Sequence, residues 1–393
     1  MMDGHLGSAP PPRESERARD RNDAAPGSRR SAMLPLDKQF AASIDHVSRA
    51  LAEWTVSSLY DRRPEFETSY GTSGRTLWKS EIVNRLQHLA EAVASDRALL
   101  FAQSVEWARA AFMARGFDVA DLAESLEVLD ETLRAEMPTQ IAERTGRILA
   151  EGLKIARRAE SPRDDSVLQT AFACAGADAT RARLYLVHLL ERHQSKAVEV
   201  LIEAVQSGKS VAEVYESVIS PALAEVGRLW HINEATVADE HYVTTATQNA
   251  MAVLRTRLPQ AASNGKRALA ASVGGDLHDV GIRMVADLLE SEGWQVDCLG
   301  ANMPTGDLVE HAVDEIGRPR FDLIAISAST ALAVRSVASA IDALRAASPE
   351  RELRIMVGGG PFSLVPDLWQ VVGADGCARC ASDAVRVAKK IVA

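Results

Sequence analysis

The chain has 393 residues, 47% of them hydrophobic, and a formal net charge of −10. That length supports two or three domains with their own cores, and the acidic balance argues against nonspecific binding to DNA or to a membrane surface. No run of about 18 apolar residues and no apolar signal core occurs, and the 4 cysteines, Cys174, Cys298, Cys377 and Cys380, form no disulfide framework, so a cytoplasmic setting is expected.

Residues 1–33 are rich in Pro, Gly, Ser and Arg and read as a disordered tail. From 34 to 160 apolar residues recur at helical spacing: Leu51, Trp54 and Leu59, then Ile82, Leu86, Leu89 and Val93, then Val105 and Phe112. Tyr70-Gly-Thr-Ser-Gly74 divides two helices, and Gly116 opens a second break with Asp118 or Asp121 as its cap. An all-helical domain of five to seven helices is expected. Residues 161–167 read as a linker. A second helical block, 168–260, has helices over 178–207, 210–231 and 236–258, punctuated by Gly208 and Ser220-Pro221.

From 264 to 393 the pattern changes to strand–helix alternation. Strands are expected at 269–273, 296–299, 323–326 and 355–357, and helices near 281–292, 305–316, 331–347 and 381–392. The fold class is therefore α + α/β, ending in a Rossmann-like parallel sheet. Such sheets bind ligands beyond the carboxyl ends of their strands.

The first strand runs into Gly274-Gly275-Asp276-Leu277-His278-Asp279-Val280-Gly281. Paired glycines let the backbone approach a flat ligand. His278 has an imidazole suited to a metal, and Asp276, two residues away, can take its other ring N–H. Alone, Asp-x-His is more often an ordinary loop. Cys377-Ala-Arg-Cys380 is a lone CxxC, without the further ligands that zinc needs.

Asp276-x-His278-x-x-Gly281 resembles the signature of base-off, histidine-on cobalamin-binding domains. Leu299-Gly300, Pro304, Ser327 and Gly358-Gly359 fall where that family places its other marks. The resemblance implies His278 as the lower cobalt ligand and a nucleotide tail threaded past Ser327, Gly358 and Gly359. Ser329 departs from the Leu or Val common in relatives, which leaves its own contact with the tail open.

Ahead of the sheet domain, Trp230-His231 precedes Glu240-His241 in a Trp-x9-Glu-His spacing. This resembles the four-helix cap of MerR-type, light-sensing cobalamin repressors. The likeness implies adenosylcobalamin, Trp230 packed on its upper group, Glu240 bonded to the nucleoside, and His231 as an upper cobalt ligand after light. Corrinoid methyl carriers have related caps, and a methyl carrier is the rival reading; a cobalamin-dependent antirepressor is a third.

No basic recognition helix precedes the cap. The helical domain at 34–160, with Tyr60, Tyr70, Trp78 and Trp107, resembles the globin-like bilin-binding part of photocobilins. That likeness implies biliverdin in a slot lined by Tyr60, Trp78 and Trp107, with Arg62, Arg63 or Arg75 meeting its propionates. No cysteine lies between 1 and 160, so a thioether within that domain is excluded. Heme through His46 or His88, or no cofactor in this domain, stays open. The overall expectation is a non-enzymatic light sensor that acts as a homo-oligomer with a light-dependent state or through an unidentified protein partner.

Overall fold

The computed structural model describes residues 35–158, 170, 172, 176–349 and 353–393. The tail at 1–33 and the linker at 161–167 lie outside the described residues.

Six helices build the N-terminal unit: α1 (Pro35–Arg62), α2 (Phe66–Ser69), α3 (Gly74–Ser95), α4 (Ala98–Ala114), α5 (Val119–Glu136) and α6 (Thr139–Ala156). The break before α5 is capped by Asp118, whose side chain accepts from the Ala120 N–H. Asp121 lies inside α5 instead, where it accepts from the Tyr70 hydroxyl at 2.7 Å. Leu51, Leu59, Leu86, Leu89, Val93 and Val105 are all fully buried, as their helical spacing demands.

The middle unit contains α7 (Ala177–Leu190), α8 (Gln194–Gln206), α9 (Val211–Val214), α10 (Ser220–His231) and α11 (Val237–Arg255). Two features differ from the sequence reading. The stretch 178–207 is two helices, because Arg192 adopts a left-handed φ of 64° and turns the chain back. Ser220-Pro221, by contrast, breaks nothing. A π-helical turn, Tyr215–Ile219, joins α9 to α10, and Pro221 sits in the first turn of α10. Proline is tolerated there because its missing N–H removes no required bond. Ser210 with Glu213 and Thr236 with Asp239 form reciprocal capping boxes that start α9 and α11.

The third unit is a five-stranded, wholly parallel sheet in the order β2-β1-β3-β4-β5. Its strands are β1 (Arg267–Val273), β2 (Gln295–Met303), β3 (Leu323–Ser327), β4 (Arg354–Gly358) and β5 (Gly376–Ala378). β5 is a strand that the sequence reading lacked. Helices α12 (Val280–Ser291) and α17 (Ala381–Ile391) cover one face, and α13 (Thr305–Ala312) and α14 (Val334–Ala347) the other. Short helices α15 (Gly360–Leu364) and α16 (Leu368–Val371) follow β4. The strand order reverses between β1 and β3, which opens a crevice at their carboxyl ends.

The N-terminal unit is packed against this third unit. Its core is continuous with the apolar layer beneath α14. Arg335 of α14 donates through Nε to Glu91 of α3 at 2.8 Å and through Nη1 to Asp45 of α1 at 2.6 Å. Among the described residues no helix is long and apolar enough to cross a membrane.

Candidate functional site

The loop after β1 is built around a buried carboxylate. Asp276 is 3% exposed. Its Oδ1 accepts from the His278 backbone N–H at 3.0 Å and from the His278 ring Nδ1 at 2.8 Å. Its Oδ2 accepts from the backbone N–H of Ser329, in the loop after β3. Ser272 holds the His278 carbonyl at 2.8 Å. With Nδ1 committed, the opposite ring nitrogen is left as the ligating atom. The hydrogen bond to Asp276 raises the His278 pKa despite partial burial. Those bonds in turn hold Asp276 below the usual carboxylate range, although burial opposes them.

His278 projects from the crevice rim with its side chain 60% exposed. The neighbouring Leu277 is 70% exposed, and on the middle unit Val237 is 53% and Trp230 46% exposed.

A cavity of about 280 Å³ lies between β3, β4, β5, α12 and α17, lined by Gly281, Ser327, Gly358 and Gly359 with Glu216 and Ser220 of the cap. Gly359 has φ +111°, and a Cβ there would stand 2.0 Å from the Ala328 carbonyl oxygen. A Cβ on Gly281 would meet nothing within 4 Å. The two glycines therefore differ: one permits the fold, the other leaves space. Gly281→Ala is expected to melt like wild type yet bind a ligand tail more weakly, whereas Gly359→Ala lowers the melting temperature itself. Thermal unfolding and equilibrium dialysis, run side by side, check both.

Two bonds from the middle unit to the sheet unit have no signal in the sequence. Gln248 of α11 donates to Asp279 Oδ1 at 2.8 Å, and Tyr215 donates to the buried Asp287 of α12 at 2.7 Å. Asn302 also props the loop, accepting from the Gly275 N–H at 2.7 Å. Gly300 turns at φ +78°, and Leu299 packs against the core beside it. Glu240 accepts from Thr244 at 3.0 Å, and its charge is felt by His278 across the gap. His241 is mostly exposed and lies 3.6 Å from Glu240.

A second cavity, of about 770 Å³, lies between α3 and α4 of the N-terminal unit, the end of α10 and the loops after β3 and β4. Trp78, Arg85, His88, Trp107, Trp230 and His231 all face it. His231 does not stand free: its ring Nε2 donates to the Trp107 carbonyl, and the two rings pack at 5.3 Å. Arg115 of the N-terminal unit grips the His231 carbonyl at 3.0 Å. Burial lowers the His231 pKa, and burial pushes that of His88 down to about 4.

The structure corrects several expectations for this region. Tyr60 is buried in the core beneath Arg75 and lies away from the cavity. Arg62 pairs with Glu131, Arg63 with Glu65 and Glu124, and Arg75 with Glu67, so none of the three reaches the cavity. His46 is exposed on α1 and does not line the cavity, which His88 does. Ser329 belongs to the upper cavity, not to the lower one with Ser327.

Residues 266–388 match the family model described as "B12 binding domain", and residues 182–255 match a second model with the same description. The chain is a cobalamin-binding protein. It is 27% identical over 199 residues to the dimethylamine corrinoid protein of Methanosarcina barkeri, covering 50% of this chain and 90% of that one. A corrinoid protein of Desulfitobacterium hafniense is 27% identical over 210 residues, covering 52% and 94%. The solved monomethylamine corrinoid protein of Methanosarcina barkeri is 23% identical, with a TM-score of 0.48, covering 55% of this chain and all of that one. Both family matches lie beyond α6.

The residues fit a cobalamin. His278 offers one free ring nitrogen on a largely exposed side chain, and the glycine-lined cavity offers room for a tail.

Proposed function

We propose that this protein is a cobalamin-dependent light sensor, with a second, bilin-like chromophore held by its N-terminal unit. The observation that carries the reading is the 770 Å³ cavity, which joins Trp230 and His231 to an aromatic wall supplied by α3 and α4. Its volume lies in the range of about 300–1,000 Å³ typical of small-molecule sites. Adenosylcobalamin, when bound, supplies a cobalt–carbon bond that light breaks.

The chain's own residues do the rest. His278, steadied by Asp276, holds the lower face; Gly281, Ser327, Gly358 and Gly359 take the tail. Trp230 and Glu240 border the upper side. His231 is tied to Trp107 through Nε2, which leaves Nδ1 for a ligand; ligation through Nε2 would exchange the Trp107 carbonyl for the cobalt. That exchange connects the cap to the N-terminal unit and gives the molecule two distinct arrangements.

Trp78 and Trp107 are the aromatic walls for a flat, conjugated ligand. Arg85 replaces the arginines expected earlier: its Nε is buried with no hydrogen-bond partner, as is the indole N–H of Trp78. Burial lowers the Arg85 pKa, opposed by Glu81. A carboxylate-bearing ligand would relieve both orphaned donors. Arg115 stands on the same cavity.

The second reading is a corrinoid methyl carrier of a methyltransferase system, and the names of the relatives favour it over the light sensor. A carrier must offer its upper face to another enzyme. Here α3 and α4 stand on that side, so the N-terminal unit would have to swing away.

Visible spectra of the full chain loaded with adenosylcobalamin and biliverdin, before and after green light, separate the readings. A lasting change in the cobalamin bands, altered in His231→Ala, is expected. A red-absorbing bilin band that Arg85→Gln weakens is expected beside it. Light-inert adenosylcobalamin would overturn the sensor reading in favour of the carrier. Absence of a bilin band would remove the second chromophore.

A further inference from the structure

The turn between α7 and α8 carries His188-Leu-Leu-Glu191-Arg192-His193. We propose that His188, Glu191 and His193 form a binding site for a divalent cation of the zinc class on the cap. Their ligating atoms lie within 4.8 Å of one another. His193 Nδ1 is 3.2 Å from Glu191 Oε2, and the two imidazole rings are 6.3 Å apart.

The backbone brings these groups together at a conformational cost. The His193 N–H donates to the His188 carbonyl at 2.7 Å, and the Arg192 N–H to that of Leu189 at 2.9 Å. This is the helix-ending pattern that normally places glycine at the left-handed position. Here Arg192 occupies it, at φ 64°. Its cation is drawn off the site: Nη2 donates to Asp239 at 2.6 Å, and the guanidinium lies 4.3 Å over the Tyr242 ring.

The donor set is also left available. Glu191 forms no ion pair with an arginine or lysine among the described residues. Nδ1 of His188 is buried without a hydrogen-bond partner. An imidazole with an unpartnered ring nitrogen, standing beside a carboxylate and a second imidazole, suits a cation. Two imidazoles and one carboxylate fit zinc, with water completing four ligands. Occupancy would pin the start of α8 to the end of α7. Through Arg192 and Asp239 it would also stiffen the start of α11, one residue from Glu240.

This inference is independent of the light-sensing reading. The test is competition for Zn²⁺ with a chromophoric chelator, using the full, untagged chain loaded with cobalamin so that His278 is occupied. One Zn²⁺ per chain is expected. His188→Ala and His193→Ala should each weaken binding by about tenfold or more, the loss seen when even supporting metal-site residues are removed. Cys380→Ser should leave it unchanged, and Zn²⁺ should raise the melting temperature of wild type but not of His193→Ala. Equal Zn²⁺ affinity in wild type and both histidine variants would overturn the site, as would loss in Cys380→Ser alone.

Discussion

His278→Ala is expected to abolish lower-face ligation, seen as a changed absorption spectrum of any cobalamin still bound and as a large fall in affinity. The fall should exceed the roughly 10–100-fold that loss of a supporting residue costs at a metal site. Three separate bonds converge on Asp276, from the His278 ring, the His278 N–H and the Ser329 N–H, and they leave one ring nitrogen exposed. Removing the ring leaves no substitute donor at that point of the loop, because Leu277 is apolar and Asp279 is committed to Gln248 and Arg283. Asp276→Asn should be the milder change, since it keeps the shape but loses the charge that fixes the tautomer. Imidazole added to His278→Ala should restore part of the spectrum. A wild-type spectrum in His278→Ala would mean that the lower ligand lies elsewhere.

Arg335→Met should loosen the N-terminal unit from the sheet domain, and the loss should grow with pH. Glu91 is 2% exposed, and burial pushes its pKa up to about 7 even with Arg335 beside it. Between its ordinary value of 4.5 and about 7 the folded chain keeps a proton that the unfolded chain has released. Stability from this group therefore falls as pH rises through that window. Without Arg335 the carboxylate has no cation, its pKa climbs further, and the window widens upward. Breaking a buried pair costs on the order of 3 kcal/mol, to be discounted here because Arg335 and Asp45 are partly exposed. Thermal unfolding and limited proteolysis at pH 5.5 and pH 8 are the checks. An equal deficit at both would show that Glu91 is not the group being stranded.

The sheet domain was legible because its signals are local. A glycine pair, Asp276 and His278 sit within five residues, and the strands are short apolar runs between turns. β5 escaped because Gly376-Cys377-Ala378 is three small residues, paired only through its neighbour β4. The α7–α8 break escaped because Arg192, and not glycine, turns the chain. The upper cavity was harder still. Nothing in the local sequence distinguishes Arg85 or Arg115 from other arginines; only tertiary packing puts Arg85 out of water and Arg115 against the His231 carbonyl. Tyr60 failed for the converse reason, since an aromatic at helical spacing serves a core as well as a pocket, and here it serves the core. The Trp230-His231 pair was visible, but its tie to Trp107 joins residues 124 positions apart and has no sequence signal.

The π-helical turn at Tyr215–Ile219 has a geometric consequence for that pair. One additional residue in a helix advances everything after it by about 100° around the axis. Tyr215 anchors the near side of the turn to Asp287, so the advance falls on α10. Aim, and not just residue identity, is thus inherited at this position. A homologue that kept Trp-His but lost the extra residue would rotate both rings toward a different neighbour, and an alignment gap there would say more about the upper face than the conserved letters do.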